Sequence, residues 1–227
     1  MDKAANIADF EKGIGYSFKN KKLINDALTH TSYANENQTR SYERLEFLGD
    51  AIVDFIVGEY LFLNYPELSE GDMSRARAAL VCEEALAQLA KKARIGEYMR
   101  LGHGAEHAGD RARPSILADM FEAHIAAVYI DSGFDTAKKY LIKCYGKSID
   151  VTVKEGHYID YKTLLQEKLQ SHGACNIEYK IMEASGPVHH CNFKINVYAD
   201  GKLLGSGNAF SKKEAQRLAA ADALRKM

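Results

Sequence analysis

The sequence predicts an all-α unit followed by a small α+β unit of order α-β-β-β-α, on three observations. From the N-terminus to about residue 149, apolar side chains recur at helical spacing, as in Leu23, Ile24, Ala27 and Leu28, and again in Leu45, Leu48, Ile52, Phe55 and Ile56. Later the period drops to two, in Ile177, Tyr179 and Ile181 and in Phe193, Ile195 and Val197, the pattern of strands with one buried face. Gly186-Pro187 and Asp200-Gly201 supply turn chemistry between those runs.

In order along the chain, the spacing predicts helices near 3–12, 20–29, 41–63, 69–80, 83–94, 115–131 and 133–147. Pro66 and Pro114 stand where a helix should stop or start. The stretch IDVTVKEGHYID has poor helical periodicity and contains Gly156, so it reads as a short linker. DYKTLLQEKLQSHG then gives a helix closing on Gly173, and SKKEAQRLAAADALRKM a final helix N-capped by Ser211. The expected domains are residues 1–149 and 159–227, joined by a linker over 150–158.

A chain of 227 residues that is 46% hydrophobic can bury real cores. No stretch approaches the roughly 18 to 20 uninterrupted apolar residues of a membrane span, and MDKAANIADFEKG lacks the apolar centre of a signal peptide. A cytoplasmic protein without a membrane partner is expected. Cys82, Cys144, Cys175 and Cys191 form no Cys-x-x-Cys pair, which argues against a zinc cage or disulfide framework and for reduced, mostly buried thiols. The net charge is −1, yet residues 158–227 carry 10 Lys+Arg against 7 Asp+Glu, a net +3 that leaves −4 for the rest. That asymmetry is far milder than the basic stripe of a strong nucleic-acid binder, so the motifs must carry the functional case.

Glu43, Glu46, Asp50 and Asp54 are spaced three, four and four apart, which puts four mutually repelling carboxylates on one helix face. SILADMFEAHIAAVYID repeats the theme: Asp119 and Glu122 share a face of a helix that is otherwise nearly all apolar. A hard divalent cation takes oxygen ligands from a few carboxylates and water, and two facing helices could supply them. From periodicity alone a solvated acidic face remains equally open. A di-iron bundle would need Glu-x-x-His pairs, and these helices have none. His103 and His107 lie in a Gly-rich segment with no predicted helix to fix their spacing. No strand-turn-helix elbow surrounds Ser32 in His30-Thr31-Ser32, so capping of the preceding helix and packing are the expected roles there.

The run ERLEFLGDAIV at 43–53 resembles the signature of the bacterial ribonuclease III family. HTSYANE at 30–36, EGDMSRARAALV at 70–81 and RPSILADMFEAHIAAVYID at 113–131 are similar to further family segments, in order. The last 68 residues, from DYKTLLQEKLQ through SGPVHH to SKKEAQRLAAADAL, resemble a double-stranded-RNA-binding domain. The resemblance implies an all-α endonuclease domain joined to a small α+β RNA-binding domain. It implies Mg2+, with Mn2+ as a substitute, at a metal site of Glu46, Asp119, Glu122 and Asp50, the same four carboxylates forming the catalytic cluster; Glu43 and Glu70 match acidic positions lining the cleavage valley. It also implies a homodimer packed through the helix of the signature, with Phe47, Leu48 and Ala51 in an isologous seam. Staggered cuts leaving 5′-phosphate and 3′-hydroxyl ends follow, in the processing of rRNA precursors, mRNA and other structured RNAs. Met120, His124, Ala105 and Asp110 depart from the usual family residues, and His124, two residues from Glu122, belongs to a core or interface face.

A-form RNA hides its bases, so recognition should use 2′-hydroxyls across minor grooves and phosphates between them. Thr163, Gln166, Glu167 and Gln170 share one side of a helix and match the family's first minor-groove contacts. The Gly186-Pro187 turn would hold His189 for a second minor groove. Lys212 and Lys213 would meet phosphates at a capped helix start, with Gln216 one turn on. Two rivals are a non-catalytic double-stranded-RNA-binding or ribosome-assembly protein, whose hallmark would be a missing metal carboxylate, and a helical dimer that holds Mg2+ only for stability. None of the four carboxylates is missing, and the second rival leaves the C-terminal pattern unexplained.

Overall fold

The computed structural model describes residues 7–156, 160–171, 173–185 and 191–227. Residues 3–6 of the expected first helix, the end of the expected linker, Gly186-Pro187 and His189 lie outside the described residues. The chain divides into two compact units, residues 1–158 and 159–227.

The first unit is helical: α1 (Ile7–Ile14), α2 (Lys21–Ala27), α3 (Thr31–Asn37), α4 (Glu43–Asn64), α5 (Glu70–Val81), α6 (Glu83–Lys92), α7 (Ile95–Tyr98), α8 (His103–His107), α9 (Pro114–Ser132), α10 (Phe134–Tyr145) and α11 (Ser148–Glu155). A 3-10 turn over Asp110–Ala112 precedes α9. Helix α9 is the axis of the unit. Ile116, Leu117, Met120, Phe121, Ile125 and Val128 are buried around its circumference, as expected of a helix that is apolar on nearly all sides. Pro114 occupies its first turn, where no intrahelical N–H bond is lost. Helices α4 and α6 pack along α9. At Gly49 the α4 backbone meets α9 so closely that a Cβ there would lie 2.0 Å from the Glu122 carbonyl oxygen.

Helices α3, α7, α8 and α11 were not expected, because one or two turns carry too few periodic residues to register. Among the described side chains of α11, Ile149 and Val153, four apart, are the buried ones, so part of the segment read as linker is helix folded onto the first unit. His30 caps α3, the helix after it, rather than the one before: its Nδ1 accepts from the Ser32 backbone N–H at 3.2 Å. The four thiols are free and only half-buried, less enclosed than expected. No helix among the described residues is long and apolar enough to cross a membrane.

The second unit has α12 (Tyr161–Gln170), β1 (Ile177–Ser185), β2 (Asn192–Ala199), β3 (Lys202–Ala209) and α13 (Lys212–Lys226). Its sheet is antiparallel in the order β1-β2-β3. Asp200 and Gly201, at φ 47° and 80°, make the β2–β3 turn in the left-handed region that such hairpins demand. Leu165 of α12, Val197 of β2 and Ala219, Ala220 and Ala223 of α13 form the core. Gly205 and Gly207 let α13 lie directly on β3: a Cβ at either would come within 2.5 Å of the α13 backbone. The alternation in β1 fails at Ile181, which is 49% exposed, because the register shifts between Ile181 and Glu183.

Candidate metal centre and nucleic-acid interface

Residues 43–54 put acids on one face of α4, and the contact at Gly49 brings that face against α9. One oxygen each from Glu46, Asp119 and Glu122 lies within 4.8 Å of the others. Among the described residues none of these carboxylates has an ion-pair partner. Asp50 is exposed on α4, outside the group of three, and its charge is felt at Glu46 and Glu122. Burial, followed by the charges of Asp50, Asp119, Glu46 and Asp54, pushes Glu122 up to about 8. Glu46 is raised by burial and then by Asp119, Glu43 and Asp50. Asp119 is raised by burial, against which a hydrogen bond from Tyr42 works.

Three half-buried carboxylates that converge with no Lys or Arg partner among the described residues repel one another, and a hard divalent cation is the ligand that their oxygen chemistry fits. Glu43 is exposed, and its Oε2 accepts from Ser41 at 2.8 Å. Glu70, at the start of α5, accepts from Ser74 at 3.0 Å. It lines a groove of about 440 Å³ with Asp54, Phe55, Phe62 and Arg77 rather than joining the three carboxylates. His103 and His107 fall on the short α8 and belong to no metal-holding group among the described residues.

Of the departures, His124 is fully buried, with Nε2 2.9 Å from the Tyr140 hydroxyl and Nδ1 without a partner. Burial holds it down to about 3, so it is a neutral core residue. Met120 is fully buried beside it, and Asp110 faces Arg113 at 3.7 Å. Sequence reasoning missed Gly49, although it lies inside the signature, and Tyr42, whose hydroxyl donates to Asp119 Oδ2 at 3.3 Å. A glycine in the interior of a long helix was the available signal for the first. A buried aromatic just ahead of a helix gave no signal for the second.

Along α4 an apolar stripe faces solvent: Phe47 is 84%, Phe55 59% and Phe62 68% exposed, with Ala51 exposed between the first two. Leu48, expected in the same seam, is half-buried against the core instead.

In the second unit, Thr163, Gln166, Glu167 and Gln170 are exposed on the side of α12 opposite buried Leu165. The Thr163 hydroxyl donates to Asp160 at 2.8 Å, and Gln166 donates to Gln170 at 3.4 Å. Lys212 and Lys213 are exposed at the start of α13, where Ser211 accepts from the Glu214 N–H. Lys212 Nζ lies 5.6 Å from the Phe193 ring centroid. Gln216 accepts from Lys162 at 2.9 Å, which ties α13 to α12 through a lysine absent from the expected set.

A family model described as ribonuclease-III-like matches residues 20–149, and the double-stranded RNA binding motif matches residues 161–227. The chain is 42% identical to a protein named Ribonuclease 3 from Clostridium acetobutylicum, over 99% of this chain and 98% of that one. It is 44% identical to one from Bacillus cytotoxicus, over 96% and 90%. Among solved structures it is similar to the nuclease domain of ribonuclease III from Campylobacter jejuni. One structure of that domain superposes with a TM-score of 0.59 at 40% identity, covering 63% of this chain and 95% of that one. Another, described for flexibility in a region involved in dimer formation, has a TM-score of 0.58 at 41% identity, covering 61% and 95%.

Proposed function

The chain belongs to the ribonuclease III family and is a double-stranded-RNA endonuclease of that type, and we propose that it works with Mg2+ held by Glu46, Asp119 and Glu122. The observation that carries this reading is the convergence of three carboxylate oxygens within 4.8 Å on a crossing of α4 and α9. A bound divalent cation supplies a water of lowered pKa and neutralises charge developing on the phosphodiester. Mn2+, with the same taste for oxygen ligands, would substitute.

Burial and its acidic neighbours push Glu122 up to about 8, so it would give up a proton on ligating a cation. Asp50, one turn beyond Glu46 and open to solvent, completes the acidic cluster at which a water would be oriented for attack. Glu43 and Glu70 border the path of the RNA rather than ligating. Attack in line with the 3′ oxygen leaves 5′-phosphate and 3′-hydroxyl ends.

The exposed stripe of Phe47, Ala51, Phe55 and Phe62 supports a homodimer with α4 against its symmetry mate. Each buried Phe withdraws on the order of 150–200 Å² from water, and a self-complementary stripe closes on a two-fold axis. Two centres, one per protomer, would each cut one strand and leave a stagger.

In the second unit, Thr163, Gln166, Glu167 and Gln170 present polar groups to a minor groove, and Lys212 and Lys213 meet phosphates, with Gln216 beside them. His189 would take a second minor groove. Cytoplasmic processing of rRNA precursors and mRNA fits a duplex reader with weak sequence preference.

The test incubates the protein with a fully paired RNA hairpin, single-stranded RNA and a DNA duplex, in Mg2+ or EDTA, beside Asp50→Asn and Glu122→Gln. Cutting of the RNA hairpin alone, dependent on Mg2+ and lost in both variants while RNA binding persists, is expected. Products that an RNA ligase joins without prior phosphorylation would carry the predicted ends. Binding without cutting by the unaltered protein would overturn the reading.

A further inference from the structure

Tyr42 is buried immediately ahead of α4, and the partner that its hydroxyl finds is Oδ2 of Asp119, on another helix 77 residues away in sequence. Three features fix where that hydroxyl sits. The Tyr42 backbone N–H donates to the Thr29 carbonyl at 2.9 Å. Its ring stacks on His30 with centroids 5.8 Å apart and planes 26° from parallel. The His30 ring is held in turn through Nδ1, 2.8 Å from Ser32 Oγ, and that hydroxyl also accepts from the Gly102 N–H at 2.9 Å.

Nothing in this chain of contacts is needed to cap α4. The Tyr42 side chain makes no capping bond, and the helix starts on backbone bonds from Leu45 and Glu46 to the Tyr42 carbonyl. A buried phenol usually finds an acceptor, and here the acceptor is one of the three converging carboxylates. A donor on one carboxylate oxygen limits rotation of the group and fixes which lone pairs face the cluster. At 3.3 Å the bond is long for one between two oxygens.

We infer that Tyr42 is a positioning residue of the metal centre: its hydroxyl, buttressed by His30 and Ser32, holds the Asp119 carboxylate in the orientation that takes the cation. The inference rests on the metal reading above.

Mn2+ binding to the full chain without RNA, followed by electron paramagnetic resonance, tests it on unaltered protein, Tyr42→Phe and Ser32→Ala. Tyr42→Phe removes one oxygen and keeps the stack; it should weaken Mn2+ about tenfold, the scale of losing an outer partner of a metal ligand. The Mg2+ concentration giving half-maximal cleavage should rise by about the same factor while the rate at saturating Mg2+ changes much less, and Tm in EDTA should not move. Ser32→Ala, which loosens the His30 ring without touching Tyr42, should shift Mn2+ affinity the same way by less than Tyr42→Phe does and add nothing to Tyr42→Phe. Equal Mn2+ affinity in Tyr42→Phe and the unaltered protein overturns the inference. So does a loss of affinity that follows a fall in Tm and is not reproduced by Ser32→Ala. Absence of Mn2+ binding in the unaltered protein would instead remove the metal reading itself, and this inference with it.

Discussion

Replacing Gly49 by alanine should damage stability and catalysis together, through a single methyl group. The added Cβ would sit 2.0 Å from the Glu122 carbonyl oxygen, 2.4 Å from its carbon and 3.0 Å from its Cα. All three are backbone atoms of α9, so no side-chain rotation relieves the clash. Ordinary contact begins near 3.4 Å, so α4 and α9 must part by about 1.4 Å at the crossing that assembles the carboxylates. Overpacking costs about 3 kcal/mol or more when backbone must move, while alanine in a helix regains about 1 kcal/mol over glycine. The net loss is roughly 2 kcal/mol, or about 4–8 °C in Tm for a domain of this size. Displacing reacting groups by about 1 Å costs on the order of 100-fold in rate. Gly58→Ala, in the same helix, is the control: its Cβ meets nothing closer than Arg77 Cδ at 3.7 Å, and it should be neutral or gain up to about 1 kcal/mol. Calorimetry and hairpin cleavage at saturating Mg2+ measure both variants. Gly49→Ala with an unchanged Tm and full activity would refute the reasoning.

Three further outcomes follow from the same geometry. Without metal, folded Glu122 keeps until about pH 8 a proton that its unfolded form loses near the ordinary glutamate value of 4.5. Its contribution therefore falls as pH rises from about 5 to 8, and Glu122→Gln in EDTA should gain stability above pH 8, by about 2 kcal/mol after allowance for solvent screening; parallel Tm-against-pH curves would contradict this. Buried His124 has the opposite sense: between its unfolded value of 6.5 and its folded value of about 3, the unfolded chain takes up a proton that the fold refuses. Stability is lost as pH falls through that window, so His124→Leu should flatten the slope of stability against pH by up to about one proton, read by urea melts at pH 4, 5 and 6; an unchanged slope would count against a neutral core histidine. Lys212→Ala and Lys213→Ala should each reduce the slope of log affinity for duplex RNA against log salt by roughly one, measured in EDTA; no change in slope would remove the phosphate contacts.

The long elements were legible because their signals repeat. Helix α9 shows apolar residues on nearly every side, broken only by acids, which is the pattern of a central helix with a functional notch. The acids of α4 share a face by spacing alone, and a resemblance to known segments turned that face into a metal site. What stayed hidden depends on contacts between elements. Nothing in the spacing says that Gly49 touches Glu122 backbone, because that requires knowing which faces of α4 and α9 meet. Tyr42 looks like any aromatic until α9 places Asp119 at its hydroxyl. Helix α11 rests on two buried side chains, too few to set against Gly156 and the absence of other periodic residues. Ile181 obeys the period-two pattern and is nonetheless exposed, because the register shift beside it is a property of the paired strands.

The central claim, that Glu46, Asp119 and Glu122 are brought together to hold the catalytic cation, is tested most directly by anomalous diffraction from crystals grown with Mn2+. The account predicts a peak within coordination distance of one carboxylate oxygen of each of the three residues, absent in Glu122→Gln. A well-ordered Mn2+ elsewhere on the first unit, with the three carboxylates bare, would contradict it.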